Sequence, residues 1–357
     1  MIPLDNNTQT EKTSQVQTQT LVQLTRKGGP EVLKLVEAAM PAPQTGEVRV
    51  KVLAAGVAYA EVLQRYGLYP GQPKMPYTPG YDIAGVVDAI GAGVSGWKVG
   101  QGVATLTKFG GYTQYICLPA ETLVPIPNEI DPAEATSLVL NYVTAYQMLH
   151  RIAKVQAGQS ILVHGAAGGV GTALLQLGKL AGLKMYGTAS TTKQKLVADL
   201  GATPIDYKTQ DFLTRIKELT DNGVNAVFDH IGGTHLDKSF KALRKGGTLV
   251  GYGVQSVALD NTNLVKAMLT TMLPTVGRLS LWSALPTGRH AAFFSIDTKK
   301  HPDWFKQDLT ALVELLAAGQ IKPIIGARMP MSQVVRAHEL VQKAQVEGKL
   351  VLLPQEV

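Results

Sequence analysis

Cysteine is almost absent: Cys117 stands alone in 357 residues. A single thiol forms no internal disulfide and cannot supply a structural zinc site made of several thiolates. Charge is sparse as well, at 17% of residues, and the 34 Lys and Arg are spread along the chain without a dense basic run. The formal charge of +7 could suit an anionic partner, but its dispersal argues against a nucleic-acid surface, whereas a dinucleotide phosphate needs only a few well-placed cations. Long apolar runs are missing too. The longest apolar-leaning stretch, 261–286, is interrupted by Lys266, Pro274, Arg278 and Ser280, short of the roughly 20 apolar residues that span a bilayer, so no integral membrane segment is expected. The first twenty residues are rich in Thr, Gln, Asn and Ser and lack a basic start followed by an apolar core. That argues against a secretory signal and predicts a disordered arm over 1–20.

What is present reads as two domains, the natural division for a chain of this length. From Leu21 to about Val124 the pattern is one of short strands and turns. Residues 46–53 alternate polar and apolar, as a half-buried strand does, and 82–90 form a second strand-like run closed by glycines. After Pro132 the texture changes. Residues 133–152 carry helical spacing, and then strands (160–164, 184–188, 202–206, 226–229, 248–252) alternate with helices (170–181, 193–200). Such alternation predicts a parallel sheet with right-handed crossovers. The tail predicts a helix over 304–319, another over 333–344 and a last strand over 349–353, returning to the first domain and making it discontinuous.

The junction of the first of these strands with its helix carries the chemistry. It reads His164-Gly165-Ala166-Ala167-Gly168-Gly169-Val170-Gly171. Glycines at 168, 169 and 171 allow close backbone approach, and the free N–H groups at the helix start favour a pyrophosphate. Ala167, Gly168, Gly169 and Val170 are therefore assigned to cofactor binding. NAD sites usually place an acid about 20 residues on, at the end of the second strand. Here that strand ends in Gly187-Thr188-Ala189-Ser190, without a carboxylate. Ser190 offers a hydroxyl and Lys193 a cation, a pair suited to a 2′-phosphate, so NADPH is expected over NADH.

The ordered series Ala55-Gly-Val57, Tyr66-Gly-Leu-Tyr-Pro70, Pro76-Tyr-Thr-Pro-Gly80, Gly110-Gly-Tyr112, Val143-Thr-Ala-Tyr146, His164 to Gly171 and Gly348-Lys-Leu-Val-Leu352 resembles the zinc-free, quinone oxidoreductase-like branch of the medium-chain dehydrogenase/reductase superfamily. The resemblance runs from Leu21 to Leu353. It implies an α/β fold, with a Rossmann-type doubly wound NADPH-binding domain at 141–290 and a mainly β, GroES-like catalytic domain from 21–140 and 291–357. Zinc-dependent relatives hold their metal near the position of Ala58 and through Gly-His-Glu, which reads Gly80-Tyr81-Asp82 here; neither zinc site can be assembled with one thiol. The implied activity is hydride transfer to a quinone or an α,β-unsaturated carbonyl. Ala58 also replaces the Asn common in the zinc-free branch, so the polar network of the active site must differ.

By the same comparison Asn141 and Thr144 lie near the nicotinamide, Tyr207 beside the adenosine phosphate, Gly253 and Val254 after the fifth strand, Phe294 over the nicotinamide, and Lys349 near the cofactor. Oxyanion-stabilising candidates are the hydroxyls of Tyr59 and Tyr69. Asp82 is expected to be structural, His164 to pack beside the turn, and His150 to lie on a helix surface. The resemblance further implies a cytoplasmic homodimer that pairs sheet edges. The alternative is an NADPH-binding, vesicle- or membrane-associated protein with little turnover.

Overall fold

The computed structural model describes residues 17–256, 268–298 and 300–356. Its first half contains β1 (Thr18–Leu24), β2 (Leu33–Ala39), β3 (Glu47–Val57), α1 (Tyr59–Arg65), β4 (Asp82–Ile90), β5 (Gly102–Leu106), β6 (Tyr115–Pro119) and β7 (Val124–Pro125). Strand β3 forms because Val48, Val50, Val52 and Ala54 alternate onto one buried face. β1 begins at Thr18 and pairs with β2, so its first residues fall inside the segment expected to be an arm; 1–16 lie outside the described residues.

The second half opens with α2 (Pro132–Ser137) and α3 (Val143–Tyr146). Asp131 caps α2 by accepting the N–H groups of Ala133 and Glu134, and Pro132 occupies its first turn. A single helix was expected over 133–152; instead π-helical turns at Leu138–Tyr142 and Gln147–Ile152 flank α3. Such turns widen the helix and commonly occur at functional sites; the first one carries Asn141.

Then follow β8 (Ser160–Val163), α4 (Gly169–Leu180), β9 (Lys184–Ala189), α5 (Gln194–Asp199), β10 (Thr203–Asp206), α6 (Phe212–Leu219), β11 (Val224–Asp229), α7 (His235–Lys241) and β12 (Leu243–Gly251). After these come α8 (Leu273–Ala284), β13 (His290–Phe293), α9 (Pro302–Ala317), β14 (Ile325–Pro330), α10 (Val334–Gln342) and β15 (Lys349–Leu353). The parallel sheet has the order β10-β9-β8-β11-β12-β13. Strand order therefore reverses between β8 and β11, and a crevice opens at the carboxyl ends of those two strands.

The expected α/β class and the second, β-rich layer are both present. β15 pairs antiparallel with β3 and parallel with β14, so the tail does rejoin the first sheet. It does so later than residue 291: β13 still belongs to the parallel sheet. Phe305, Leu309 and Leu312 of α9 share a buried cluster with Val163, Leu174 and Leu175. Each fully buried leucine of that cluster contributes roughly 1.5–3 kcal/mol, which holds α4 and the glycine turn rigidly against the sheet.

Candidate active site

The glycine turn begins one residue after β8. Gly165 has φ +61, and a side chain there would strike the His230 ring. At Gly171 a Cβ would collide with the Gly165 carbonyl oxygen, and at Gly169 with the amide of Asn141. These contacts explain why the turn is bare: backbone from β8, α4 and the strand ends has to converge here. Gly168 is the N-cap of α4 and makes no side-chain cap, and the first-turn N–H groups of a helix lack intrahelical acceptors. The Gly348 N–H donates to the Ala167 carbonyl at 2.8 Å, tying the tail to the turn.

Asn141 is 4% exposed, and its Nδ2 has no hydrogen-bond partner. An amide donor buried against the glycine turn without an acceptor costs about 1–3 kcal/mol. It fits a bound dinucleotide with an acceptor at that spot. Thr144 is buried beside it on α3. Gly253 and Val254 follow β12; a Cβ at 253 would lie 2.6 Å from the His230 carbonyl oxygen, and the Gln255 N–H donates to that same oxygen at 3.0 Å. Phe294 follows β13, but its ring belongs to the core cluster with Val163 and Phe305.

Ser190 and Tyr207 lie at the ends of the adjacent strands β9 and β10, where the Tyr207 N–H donates to the Ala189 carbonyl at 3.3 Å. Tyr207 is half exposed. The Lys193 ammonium is already engaged, donating to the carbonyls of Ala344 at 2.8 Å and Val346 at 2.7 Å, and burial lowers its pKa. One residue here escaped the sequence reading. Asp206 accepts from the Thr191 hydroxyl at 2.6 Å, so an acid does flank this loop. It comes from the third strand, which spacing along the second could not reveal.

Across the cleft, side chains replace backbone. Lys349 of β15 donates to Asp82 Oδ2 at 2.7 Å, the two side chains being 2% and 0% exposed; Asp82 Oδ1 has no partner. Gly56 makes room for the pair, since a Cβ there would meet the Lys349 side chain and come within 2.5 Å of Asp82 Oδ1. Lys349 thus follows directly on the residue bonded to the turn while its ammonium serves Asp82. Glu61, also missed from sequence, is wholly buried and accepts the N–H groups of Ala58 and Tyr81, each at 2.9 Å. Ala58 offers no acceptor in return, so only half of a capping box forms. Burial, reinforced by the Asp82 charge, pushes the Glu61 carboxyl up to about 8. Burial also raises Asp82, against the opposing pull of Lys349.

The two candidate tyrosines part company. The Tyr59 hydroxyl donates to the Gln255 carbonyl at 3.1 Å, which ties α1 to the segment after β12. The Tyr69 hydroxyl lies 2.6 Å from that of Tyr81. Phe109 stands edge-on to Tyr69 and to Tyr77, and Leu68 packs against Val254. Tyr69, Tyr77 and Phe109 thus form an aromatic cluster, and Leu68 beside it reaches the segment after β12.

His164 packs as expected. Its ring nitrogens meet Thr188 Oγ1 and Ser239 Oγ, each at 3.1 Å, and burial lowers its pKa to about 3. His164, Asp229 and His235 gather potential metal ligands within 4.8 Å. The Ser239 hydroxyl stands among them, however, at 2.6 Å from Asp229, and the group is closed as a hydrogen-bond network. His150 is exposed on its helix.

Two family patterns match the chain: "Alcohol dehydrogenase GroES-like domain" over residues 44–128 and "Zinc-binding dehydrogenase" over 200–352. Quinone oxidoreductase of Rattus norvegicus is 34% identical over 332 residues, covering 91% of this chain and 95% of that protein. This chain belongs to the medium-chain dehydrogenase/reductase superfamily, in its quinone oxidoreductase and VAT-1-like branch. The synaptic vesicle membrane protein VAT-1 homolog of the same species is also 34% identical, covering 93% of this chain and 83% of that protein. The quinone oxidoreductase of Escherichia coli, solved in complex with NADPH, aligns with a TM-score of 0.83 at 28% identity, covering 94% of this chain and all of that one. The superfamily includes zinc enzymes, but the donors here do not fit a catalytic zinc. Ala58 presents a methyl group, the Tyr81 hydroxyl bonds Tyr69, Asp82 is held by Lys349, and Cys117 stands opposite Arg49 on β6.

Proposed function

We propose that this member of the superfamily is an NADPH-dependent reductase that passes hydride to a quinone or an α,β-unsaturated carbonyl without a metal. The observation that carries the reading is the buried, unpartnered Asn141 amide set against the glycine turn. When bound, NADPH supplies the hydride from its nicotinamide ring. The N–H groups of Gly168, Gly169 and Val170, with the backbone of Ala167, hold the pyrophosphate. Asn141 and Thr144 face the nicotinamide end, with Gly253 and Val254 bordering it. Ser190, Lys193 and Tyr207 take the 2′-phosphate, for which Lys193 exchanges a carbonyl for the phosphate. Phe294 and Lys349 act from behind, one by packing β13 and the other by fixing Asp82. Tyr69 donates to the substrate oxygen as negative charge develops there, and the wall of Tyr69, Tyr77 and Phe109 favours a planar acceptor. Tyr59 holds the cleft through Gln255.

The test is NADPH consumption against a panel of quinones and enones, repeated with NADH and with Lys193→Ala. Turnover with at least one acceptor and a loss of NADPH preference in the variant are expected. Tight NADPH binding with no turnover across the panel would instead favour a non-catalytic role, the reading to which the equal likeness to the VAT-1 homolog lends weight. No described helix is long and apolar enough to cross a membrane. The proposed homodimer pairs the β13 edges, next to which Phe293, Leu281 and Leu285 are exposed.

A further inference from the structure

Tyr81 falls where zinc-dependent relatives place a histidine ligand, and the site built around it is a pair of phenols. Its ring is buried at 6% exposure, and its N–H is anchored on Glu61. Tyr69, less buried, meets it edge-on at 5.8 Å between ring centroids, with the two hydroxyls 2.6 Å apart. Two hydroxyls that share one hydrogen bond hold two protons and spend one between them. Among the described residues neither hydroxyl has another protein partner, so one O–H remains to donate. A hydroxyl that is already accepting a hydrogen bond is polarised into a stronger donor. Tyr81 is the buried member and Tyr69 the more accessible one, and Leu68, its neighbour in sequence, packs against Val254 after β12.

We infer that the Tyr69–Tyr81 pair is an oxyanion-binding site for an enolate or phenolate oxygen, with Tyr81 as the positioning residue that donates to Tyr69 and Tyr69 as the donor to the ligand. This deepens the reductase reading and rests on it for the identity of the oxygen: a carbonyl or quinone oxygen that gains charge on reduction. Neither phenol gives up its proton in this role. Burial raises the pKa of both above that of a free tyrosine, and the proton that finally neutralises the product comes from water. The pair offers two hydroxyls, which hold an oxygen in position and stabilise its charge.

Two measurements test this. In turnover, Tyr69→Phe is expected to lower kcat about a hundredfold, the scale of losing one oxyanion donor. Tyr81→Phe, which keeps the ring, should lower it about tenfold with KM for NADPH unchanged. The double variant should be no slower than Tyr69→Phe alone, because Tyr81 acts through Tyr69. Full kcat in Tyr81→Phe, or additive losses in the double variant, would overturn the inference. The second measurement needs no turnover. 4-Nitrophenol titrated into the protein with NADP+ should bind as its phenolate, seen by absorbance as a lowered apparent pKa, and Tyr81→Phe should weaken the shift. Absence of a shift in the wild type removes the oxyanion site even if quinones are reduced. A shift without turnover of any acceptor keeps the site and removes the reductase reading.

Discussion

The flank of the cleft that carries the glycine turn is built from bare backbone: Gly165, Gly169 and Gly171 are glycines because any Cβ would strike His230, Asn141 or the turn itself. The opposite flank is built from buried side chains, with Lys349 on Asp82, Glu61 under two N–H groups and Tyr81 on Tyr69. The first flank is rigid by geometry, and under the proposed function its backbone takes the cofactor's phosphates. The second is a set of charges and hydroxyls whose energies depend on each partner. Binding of the cofactor should therefore tolerate changes on the second flank, while stability and chemistry should not.

The largest effect is expected from Lys349→Met. Removing one member of a buried ion pair leaves Asp82 uncompensated and costs about 3–5 kcal/mol, read as a drop in Tm. Adding Asp82→Asn should recover much of that loss, and equal or additive destabilisation would contradict the pairing. Next is Asn141→Ala. The apoprotein should stay within about 1 kcal/mol of wild type, because deleting an unsatisfied amide offsets the lost packing, while NADPH affinity falls about tenfold by fluorescence titration. Unchanged affinity would separate Asn141 from the cofactor. The smallest effect is in pH. Glu61 titrates near 8 in the fold against an ordinary 4.5, and Asp82 is raised as well. A carboxyl whose pKa is raised by folding stabilises the fold fully below its unfolded pKa and loses that contribution as pH rises through the folded value. Tm should therefore decline between the two values, and Glu61→Gln should flatten the decline. A Tm that rises over that range would place the charge of Glu61 on the stabilising side.

The same contrast explains what could be read from the residues alone. The parallel sheet, the order of its elements and the turn were legible because each is a local pattern: apolar runs, glycines and a helix start within eight residues, His164 to Gly171. The cleft's other flank is assembled from residues distant along the chain, such as Asp82 with Lys349, and no periodicity links them. Glu61 reads as an ordinary helix-surface acid until its burial is seen. Tyr81 reads as a lost zinc ligand until Tyr69 is found beside it. The engagement of Lys193 by the carbonyls of Ala344 and Val346 depends on where the tail returns. The π-helical turn at Leu138–Tyr142 that sets Asn141 against Gly169 has no signature in an apolar run. Tyr59 and Tyr69, both candidates by residue type, are told apart only by what their hydroxyls meet, the Gln255 carbonyl for one and the Tyr81 hydroxyl for the other.

One measurement engages both flanks at once. The wild-type protein is incubated with NADPH deuterated at nicotinamide C4 on one face or the other, together with an enone acceptor, and the product is analysed by mass spectrometry. A product carrying one deuterium from one of the two labelled faces is the predicted result. A saturated cofactor site with no label in any acceptor would contradict the account.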